Sequence, residues 1–390
     1  MRRLLVALVA AALPAHAQES APKTEANQEL PAVGDLSCEA AVTRALAAGP
    51  ALGALDAAHA RARAESVESW PGLELRARSG FPGPIEATRA GVRVELPRPG
   101  ERGAEADALR AGGDEALAEA RAAEVELAHT TRVAHLAVRR ARLAVAWADE
   151  DHRHRLARLA ALRQQVSAGL ENTVTLAREA MAVDDLADDT IDARAELAAA
   201  EADLARLAWG SASDAPCTPT LAEAADAHPE VQAARAGVLR VASEGEARQR
   251  SSGFWPRMLD VEWDQLDATA GRVLVSVGIA LPSFADEAAE AETGDAAARA
   301  RLAAAEATVT AEVRRLQAHL AAADARIAAL DARAAPPELS VLADARRLRT
   351  LVMDALALEA MATRRDRRRV EARLAREALV IELARALGRP

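Results

Sequence analysis

The feature that most constrains the fold is residues 271–282, GRVLVSVGIALP, where a strand pattern leads directly into a long helical pattern. Its apolar residues, such as Val273, Val275 and Val277, recur at every second position, and this period predicts a strand with two unlike faces. Pro282 ends the strand, and the same succession of strand, proline and helical pattern occurs at residues 91–101. Two such junctions in one chain predict a unit that is built twice.

Other landmarks repeat with a period of about 180 residues, far longer than that of solenoid repeats. Trp70-Pro71 is echoed by Trp255-Pro256, and Cys38 and Cys217 each stand twelve residues before a proline. Each unit is predicted to contain a helix, two hairpin strands, a long helix and a further helix. The predicted bounds are 35–210 for the first unit (strands within 72–97, helices 101–168 and 171–209), 211–219 for a linker, and 220–390 for the second unit (strands within 258–282, helices 286–349 and 350–387).

The first 17 residues have the pattern of a secretory signal peptide. Arg2 and Arg3 precede an apolar run from Leu4 to Leu13, and Ala15-His16-Ala17 is an A-x-A cleavage sequence. The polar residues 18–34 are predicted to form a flexible segment. The protein is therefore expected to be exported.

Composition favours long, closely packed helices and argues against nucleic-acid binding. The formal net charge is −10 and aromatic residues make up 2% of the chain, which suits neither a phosphate-binding surface nor an ordinary aromatic-rich core. Leu176, Val183, Leu197 and Leu204 follow a seven-residue spacing with many alanines between them, as in helices that approach closely. A helix over 101–168 would be about 100 Å long, which exceeds an ordinary globular domain.

The two cysteines and the histidines suggest no chemistry. Cys38 and Cys217 form either a disulfide or two separate buried thiols, since an exported chain permits both. His152 and His154 point apart on a helix, and they are predicted to lie on the surface, as are His129 and His135. The sequence contains no zinc-protease, C-x-x-C, phosphate-loop or nucleophile-elbow motif, so we expect no catalytic residue, metal or cofactor.

The order of these landmarks resembles the TolC-like outer-membrane efflux proteins over residues 36–388. The resemblance rests on four stretches: Ser37–Val42 against an opening "L-S-x-E-E-A-V", Gly91–Pro97 as the strand before a proline, Ala168-Gly169-Leu170 as a helical tip, and Leu207–Gly210 as a closing "L-G".

The resemblance implies a mainly α fold with a small β part, assembled as a homotrimer. Each protomer would supply four strands to a twelve-stranded transmembrane β-barrel in the outer membrane, and tandem-duplicated long helical hairpins to a periplasmic helical barrel. It implies a passive exit duct of a tripartite efflux or type I secretion system, with an adaptor protein and an inner-membrane pump as partners, and no enzyme activity. Four strands alone cannot close a barrel, which independently favours oligomers. The alternative is a periplasmic coiled-coil adaptor or scaffold without a membrane barrel.

The resemblance also points to candidate pore residues. Gly169, Thr175, Arg349 and Asp354 correspond to the two helical tips, although Thr175 stands where the family has aspartate. In the strands, alternation predicts that the valines of 273–277 face lipid. Asp260, Glu262 and Asp264 would face the lumen, where three copies would form acidic rings. Trp70 and Trp255 are predicted either to anchor at the membrane interface or to pack at the strand corner. The arginine run 364–369 is predicted to be a solvated face.

Overall fold

The computed structural model describes residues 35–49, 52–69, 73–79, 88–219, 221, 228–251, 254–265, 271–280, 287–333 and 352–390. Its elements in chain order are β1 (Asp35–Leu36), α1 (Cys38–Ala48), α2 (Leu52–Ser69), β2 (Leu73–Ser79), β3 (Thr88–Glu95), α3 (Glu101–Ser167), α4 (Thr173–Ala208), β4 (Ser211–Ala212), α5 (Pro229–Ser251), β5 (Trp255–Gln265), β6 (Gly271–Ala280), α6 (Glu287–Ala332) and α7 (Val352–Ala386). The signal peptide 1–17 and the flexible segment 18–34 lie outside the described residues. None of the described helices is both long and apolar enough to cross a membrane.

The 67-residue helix α3 is the centre of the molecule. Along its first part it packs between α2 and α5, and along its second part between α4 and α7. Helix α6 continues the layer by packing on α5 and then on α7. The described helices therefore form a layer four helices wide, whose outer members are α2 and α4 on one side and α6 on the other.

Small residues allow the helices of this layer to approach closely. The buried residues in the first third of α3 all have small side chains: Ala104, Ala106, Ala111, Gly113 and Ala118. A Cβ atom added to Gly113 would lie 3.1 Å from the Cβ of Ala60 on α2, so this crossing leaves no room for a larger residue. This packing explains why the chain forms long helices with few aromatic residues.

Local sequence signals set the helix ends. The Ser37 side chain caps α1 by accepting from the backbone N–H of Ala40 at 3.3 Å. Asn172 caps α4 in the same way through Val174 at 2.8 Å. Trp209 ends α4 in the left-handed region, with φ 47°, a conformation that glycine usually supplies.

A belt of buried residues surrounds the middle of α3. Strands β1 and β4 pair in parallel through Asp35↔Ser211 and Leu36↔Ala212, which ties the start of the first unit to the linker. Around them pack the buried residues Leu36, Ala41, Val138, Leu204, Ala208 and Ala212. In the same belt, Cys38 and Leu136 of the first unit pack against Leu374 and Ile381 of the second, so the belt holds the two duplicated units together.

The observed bounds of the strands and long helices lie close to the predicted ones, with two exceptions. Strand β5 begins at Trp255 rather than near 258. Helix α6 ends at Ala332 within the described residues. The predicted helix extends to residue 349, but residues 334–351 lie outside the described residues.

Candidate functional site

Four antiparallel strands form one sheet in the order β2-β3-β5-β6, and this sheet has an apolar face. Leu75, Val92, Val261 and Val275 lie in one row across all four strands. They are not covered by the helices, since Leu75 is 72% exposed and Val275 is 63% exposed. A contiguous exposed apolar surface of this kind marks a contact with lipid or with another chain.

The opposite face is polar, and its next row consists of Glu74, Arg93, Asp260 and Ser276. Arg93 donates to Oδ2 of Asp260 from Nη2 at 3.1 Å and from Nε at 3.3 Å, and its Nη1 lies 3.7 Å from Glu74. The negative charge of Asp260 is therefore offset within its own protomer, and the acidic rings expected in a trimer stay a prediction. Arg93 was not predicted to lie on the polar face. The sequence contains the signal, because Arg93 stands between Val92 and Val94 just as Asp260 stands between Leu259 and Val261.

Glu262 lies on the same polar face, opposite Gly91 on β3. Its Cγ would lie 3.1 Å from a Cβ atom added to Gly91, so the glycine leaves room for this side chain. Asp264 is in register with Arg272 of β6, and its side chain lies outside the described part of the structure. Two of the three predicted acids are thus on one face with an arginine among them.

Both outer edges of the sheet are open within the described residues, because β2 pairs with β3 and β6 pairs with β5 and neither pairs with a further strand. The sheet is 11 residues long at β5 and 10 at β6. Unpaired edge groups cannot be satisfied in lipid, and in water they invite another chain. The edges and the apolar face together make this sheet incomplete in a single chain.

The junction between sheet and helices is held by side chains at the prolines. Glu101, the first residue of α3, accepts from the backbone N–H of Arg98 at 2.9 Å and pairs with Arg257 of β5 at 2.5 Å. The indole of Trp255 donates to the carbonyl of Leu96 at 2.9 Å. Of the two roles open for Trp255, the structure shows corner packing; Trp70 lies outside the described residues.

The turn between α3 and α4 forms one end of the helical layer. Gly169 has φ 71°, which explains why glycine stands at this position. Thr175 is exposed in the first turn of α4. Arg349 lies outside the described residues, and Asp354 lies in α7 with a side chain that is not described. Of the four predicted tip residues, the structure therefore places only Gly169 and Thr175 in detail, and their role at a pore stays a prediction.

Cys38 and Cys217 form a disulfide, with Cα atoms 5.2 Å apart, in the belt. The prediction that His135 lies on the surface was wrong, because it is fully buried beside this disulfide. Its Nε2 lies 3.2 Å from the carbonyl oxygen of Leu36, and its Nδ1 lies 3.7 Å from Sγ of Cys217. His135 is buried because the pairing of β1 with β4 places residues 35–36 over α3. No local sequence pattern predicts that pairing.

Burial determines the protonation state of three histidines, His129, His135 and His228. Desolvation lowers the pKa of His135 below its usual value, and it likewise lowers the pKa of His129 and of His228. His129 is also less exposed than predicted, since its side chain is 14% exposed and faces Glu382 at 3.6 Å. These rings are therefore neutral at pH 7.

Two ion pairs, each with a mostly buried arginine, join α3 to α7. Arg139 of α3 pairs with Glu377 of α7 at 2.5 Å, and the same carboxylate accepts from the backbone N–H of Cys217 at 2.6 Å. Arg367 contacts both carboxylate oxygens of Asp151 and lies 5.6 Å from the centroid of the Trp147 ring. The prediction of a solvated arginine run fails at Arg367, which holds α7 to α3.

No protein-family model and no curated protein matches the sequence. Solved structures match over nearly the whole chain. A structure of CusC, described for its transmembrane channel formation, shows 16% identity over 92% of this chain and 93% of that chain, with TM-score 0.69. A membrane protein from Pseudomonas aeruginosa shows 17% identity over 92% and 91%, with TM-score 0.72. The outer membrane protein VceC from Vibrio cholerae shows 15% identity over 90% and 96%, with TM-score 0.69. The likeness confirms, for the fold, the resemblance drawn from the sequence.

Proposed function

We propose, from the fold shared with these outer-membrane proteins, that the chain is a passive exit duct in the cell outer membrane that projects into the periplasm. The observation that carries the proposal is the four-stranded sheet with one apolar exposed face, one polar face and two open edges. Such a sheet is complete only when further copies pair along its edges. Three copies give twelve strands, an even number of the kind that transmembrane barrels use.

The sheet has the dimensions that a membrane requires. Ten residues of β6 span about 33 Å at about 3.3 Å per residue. A tilt of about 40° reduces this to about 25 Å along the membrane normal, which equals the apolar band of outer-membrane barrels. The row of Leu75, Val92, Val261 and Val275 would then face lipid, and the row containing Arg93 and Asp260 would line the lumen.

The helical layer supports the same assembly. Its outer members α2, α4 and α6 each have neighbours on one side only within the described chain. Three layers joined edge to edge around an axis would form a helical barrel that continues the lumen of the strands. The turn at Gly169, at the end of the layer opposite the sheet, would face the periplasmic adaptor and the inner-membrane pump that supply energy for transport.

The proposed duct is tested by purifying the full chain in detergent and measuring both mass and conductance. We expect a homotrimer from the outer-membrane fraction that resists alkaline extraction and opens channels in planar bilayers. A water-soluble monomer without conductance would overturn the proposal and would favour the periplasmic scaffold. Reduced co-purification with an adaptor after substitutions beside Gly169, but not after substitutions in the sheet, would test the partner assignment separately.

A further inference from the structure

The disulfide and His135 form a cluster whose chemistry the duct does not use. The two sulfurs of Cys38 and Cys217 and one ring nitrogen of His135 all lie within 4.8 Å of one another. Among the described residues, the fold brings three side chains that can bind a metal ion together at this one place. All three residues are at most 2% exposed.

His135 is oriented as a ligand. The carbonyl oxygen of Leu36, 3.2 Å from Nε2, can only accept. In the neutral ring Nε2 therefore carries the proton, and the lone pair of Nδ1 is directed at Cys217. Metal-binding histidines are commonly fixed in this way, by donating their second ring N–H to a backbone carbonyl.

The spacing fits coordination. With metal–sulfur and metal–nitrogen bonds of about 2.3 and 2.0 Å, a sulfur and a nitrogen that bind a three-coordinate ion about 120° apart lie about 3.7 Å from each other. Nδ1 of His135 already lies 3.7 Å from Sγ of Cys217. The Cα atoms of the cysteines, 5.2 Å apart, leave the thiolates free to separate by side-chain rotation once the S–S bond is broken.

The surroundings support a site that opens and closes. The carboxylate of Glu377 holds the backbone N–H of Cys217 at 2.6 Å and is itself held by Arg139, so the cysteine backbone stays in place without the S–S bond. Asp214 and Thr218, on either side of Cys217 in the linker, are exposed, which gives an ion a short path from solvent.

We propose that Cys38, Cys217 and His135 form a redox-gated site for one soft, thiophilic cation of the Cu⁺ class. Two thiolates and one imidazole are ligands that such cations prefer, and they are one fewer than the four of a structural zinc site. The disulfide is the closed form and the dithiol is the binding form. The site is built from the belt and is independent of the proposed duct.

The opening reaction needs a reductant, for which a phosphine serves in the test. The phosphorus gives two electrons to the S–S bond, takes an oxygen atom from water to become the phosphine oxide, and leaves one proton on each sulfur. The cation then displaces both thiol protons as it binds. Reoxidation by a disulfide-bonded oxidant would release the ion and restore the bridge.

The test uses the full chain in detergent, reduced with the phosphine, freed of it, and titrated with Cu⁺ without oxygen. We expect the reduced chain to bind about one Cu⁺ and both of its thiols to be protected from alkylation. The oxidised chain should bind no Cu⁺, and neither form should bind Mg²⁺. His135→Gln should weaken Cu⁺ binding tenfold or more. His154→Gln, on the same helix and remote from the cysteines, is the matched control and should bind as the unchanged chain does.

Equal Cu⁺ affinity in the His135→Gln and His154→Gln chains would overturn the site, since the thiols alone would then account for binding. If reduction of the disulfide unfolds part of the belt, circular dichroism will measure the resulting loss of helicity. Recovery of helicity on adding Cu⁺, absent in His135→Gln, would support the proposal. Helicity that is lost and not recovered, or a folded dithiol chain that binds no Cu⁺, would overturn it.

Discussion

An arginine placed on the apolar face of the sheet should prevent assembly in the membrane, whereas one placed on the polar face should not. Val275 and Ser276 are adjacent in the middle of β6, where they pair with Val261 and Asp260 of β5. Their side chains therefore lie on opposite faces of one strand. Val275→Arg and Ser276→Arg add the same charge at the same depth, so only the face differs.

The expected difference follows from the cost of charge in lipid. An arginine at the bilayer midplane on the lipid face costs about 2–4 kcal/mol, and three copies in a trimer would cost about 6–12 kcal/mol. On the other face, Ser276→Arg would stand in the polar row that contains Asp260, where its charge faces the water of the proposed lumen and not lipid. The isolated chain predicts no difference, because Val275 is 63% exposed and Ser276 is exposed as well.

The assay is the amount of heat-resistant trimer recovered from the outer-membrane fraction, with total protein measured in parallel. We expect Val275→Arg to reduce the trimer at least tenfold while Ser276→Arg stays within a factor of two of the unchanged chain. Equal recovery of the two variants would refute the assignment of the faces. Loss of both from total protein would show instead that β6 tolerates no large residue.

Three further predictions follow from the polar face and the belt. Arg93→Gln should leave the charge of Asp260 without its partner and raise the preference for cations over anions, which the reversal potential in a salt gradient measures; an unchanged potential would contradict a lumenal Arg93. The contribution of His135 to the free energy of unfolding should be complete above about pH 6.5 and should be lost as the pH drops below that value. The reason is that the lowered pKa of His135 leaves the folded chain with fewer bound protons than the unfolded chain. Urea midpoints at pH 7.5 and 5.5 test this, and a higher midpoint at pH 5.5 would contradict it. Arg367→Lys should lose its two-point contact with the carboxylate of Asp151, which is 46% exposed, and with it about 1 kcal/mol of stability. Arg368 is exposed, so Arg368→Lys is the control that should change the urea midpoint little; equal effects of the two substitutions would contradict the role of Arg367.

The strands and long helices could be predicted from the sequence because their signals are local. Alternating valines mark β6, and the helical pattern that follows Pro97 marks α3, whose observed start at Glu101 is the predicted one. Neither signal depends on the rest of the fold. The same is true of Gly169, whose positive φ of 71° fits the turn expected there.

The partners across the structure could not be predicted in this way. The burial of His135 depends on the pairing of Leu36 with Ala212, two residues of a short parallel ladder that carries no pattern of its own. Ala-rich helices have weakly distinct faces, so the sequence does not show which side of α3 is covered. The Arg93–Asp260 pair joins strands of different repeat units, and only the register of β3 against β5 reveals it.

A cross-link between the two open edges of the sheet tests directly whether three chains close the barrel. Glu74 on β2 and Ser276 on β6 lie in the same row on the polar face but are separated by two intervening strands. At about 4.8 Å per strand they stand about 14 Å apart within one chain, too far for a disulfide, which needs Cα atoms within about 7 Å. A bond between them must therefore join two chains.

The measurement pairs Glu74→Cys with cysteine in turn at Arg272, Leu274 or Ser276 of β6, which samples the register between protomers. After oxidation, a closed trimer should give, at one register, bands of two and three chains and none larger, all of which return to monomer on reduction. Monomer alone at every register, or a ladder that continues beyond three chains, would contradict a sheet that closes as a trimer.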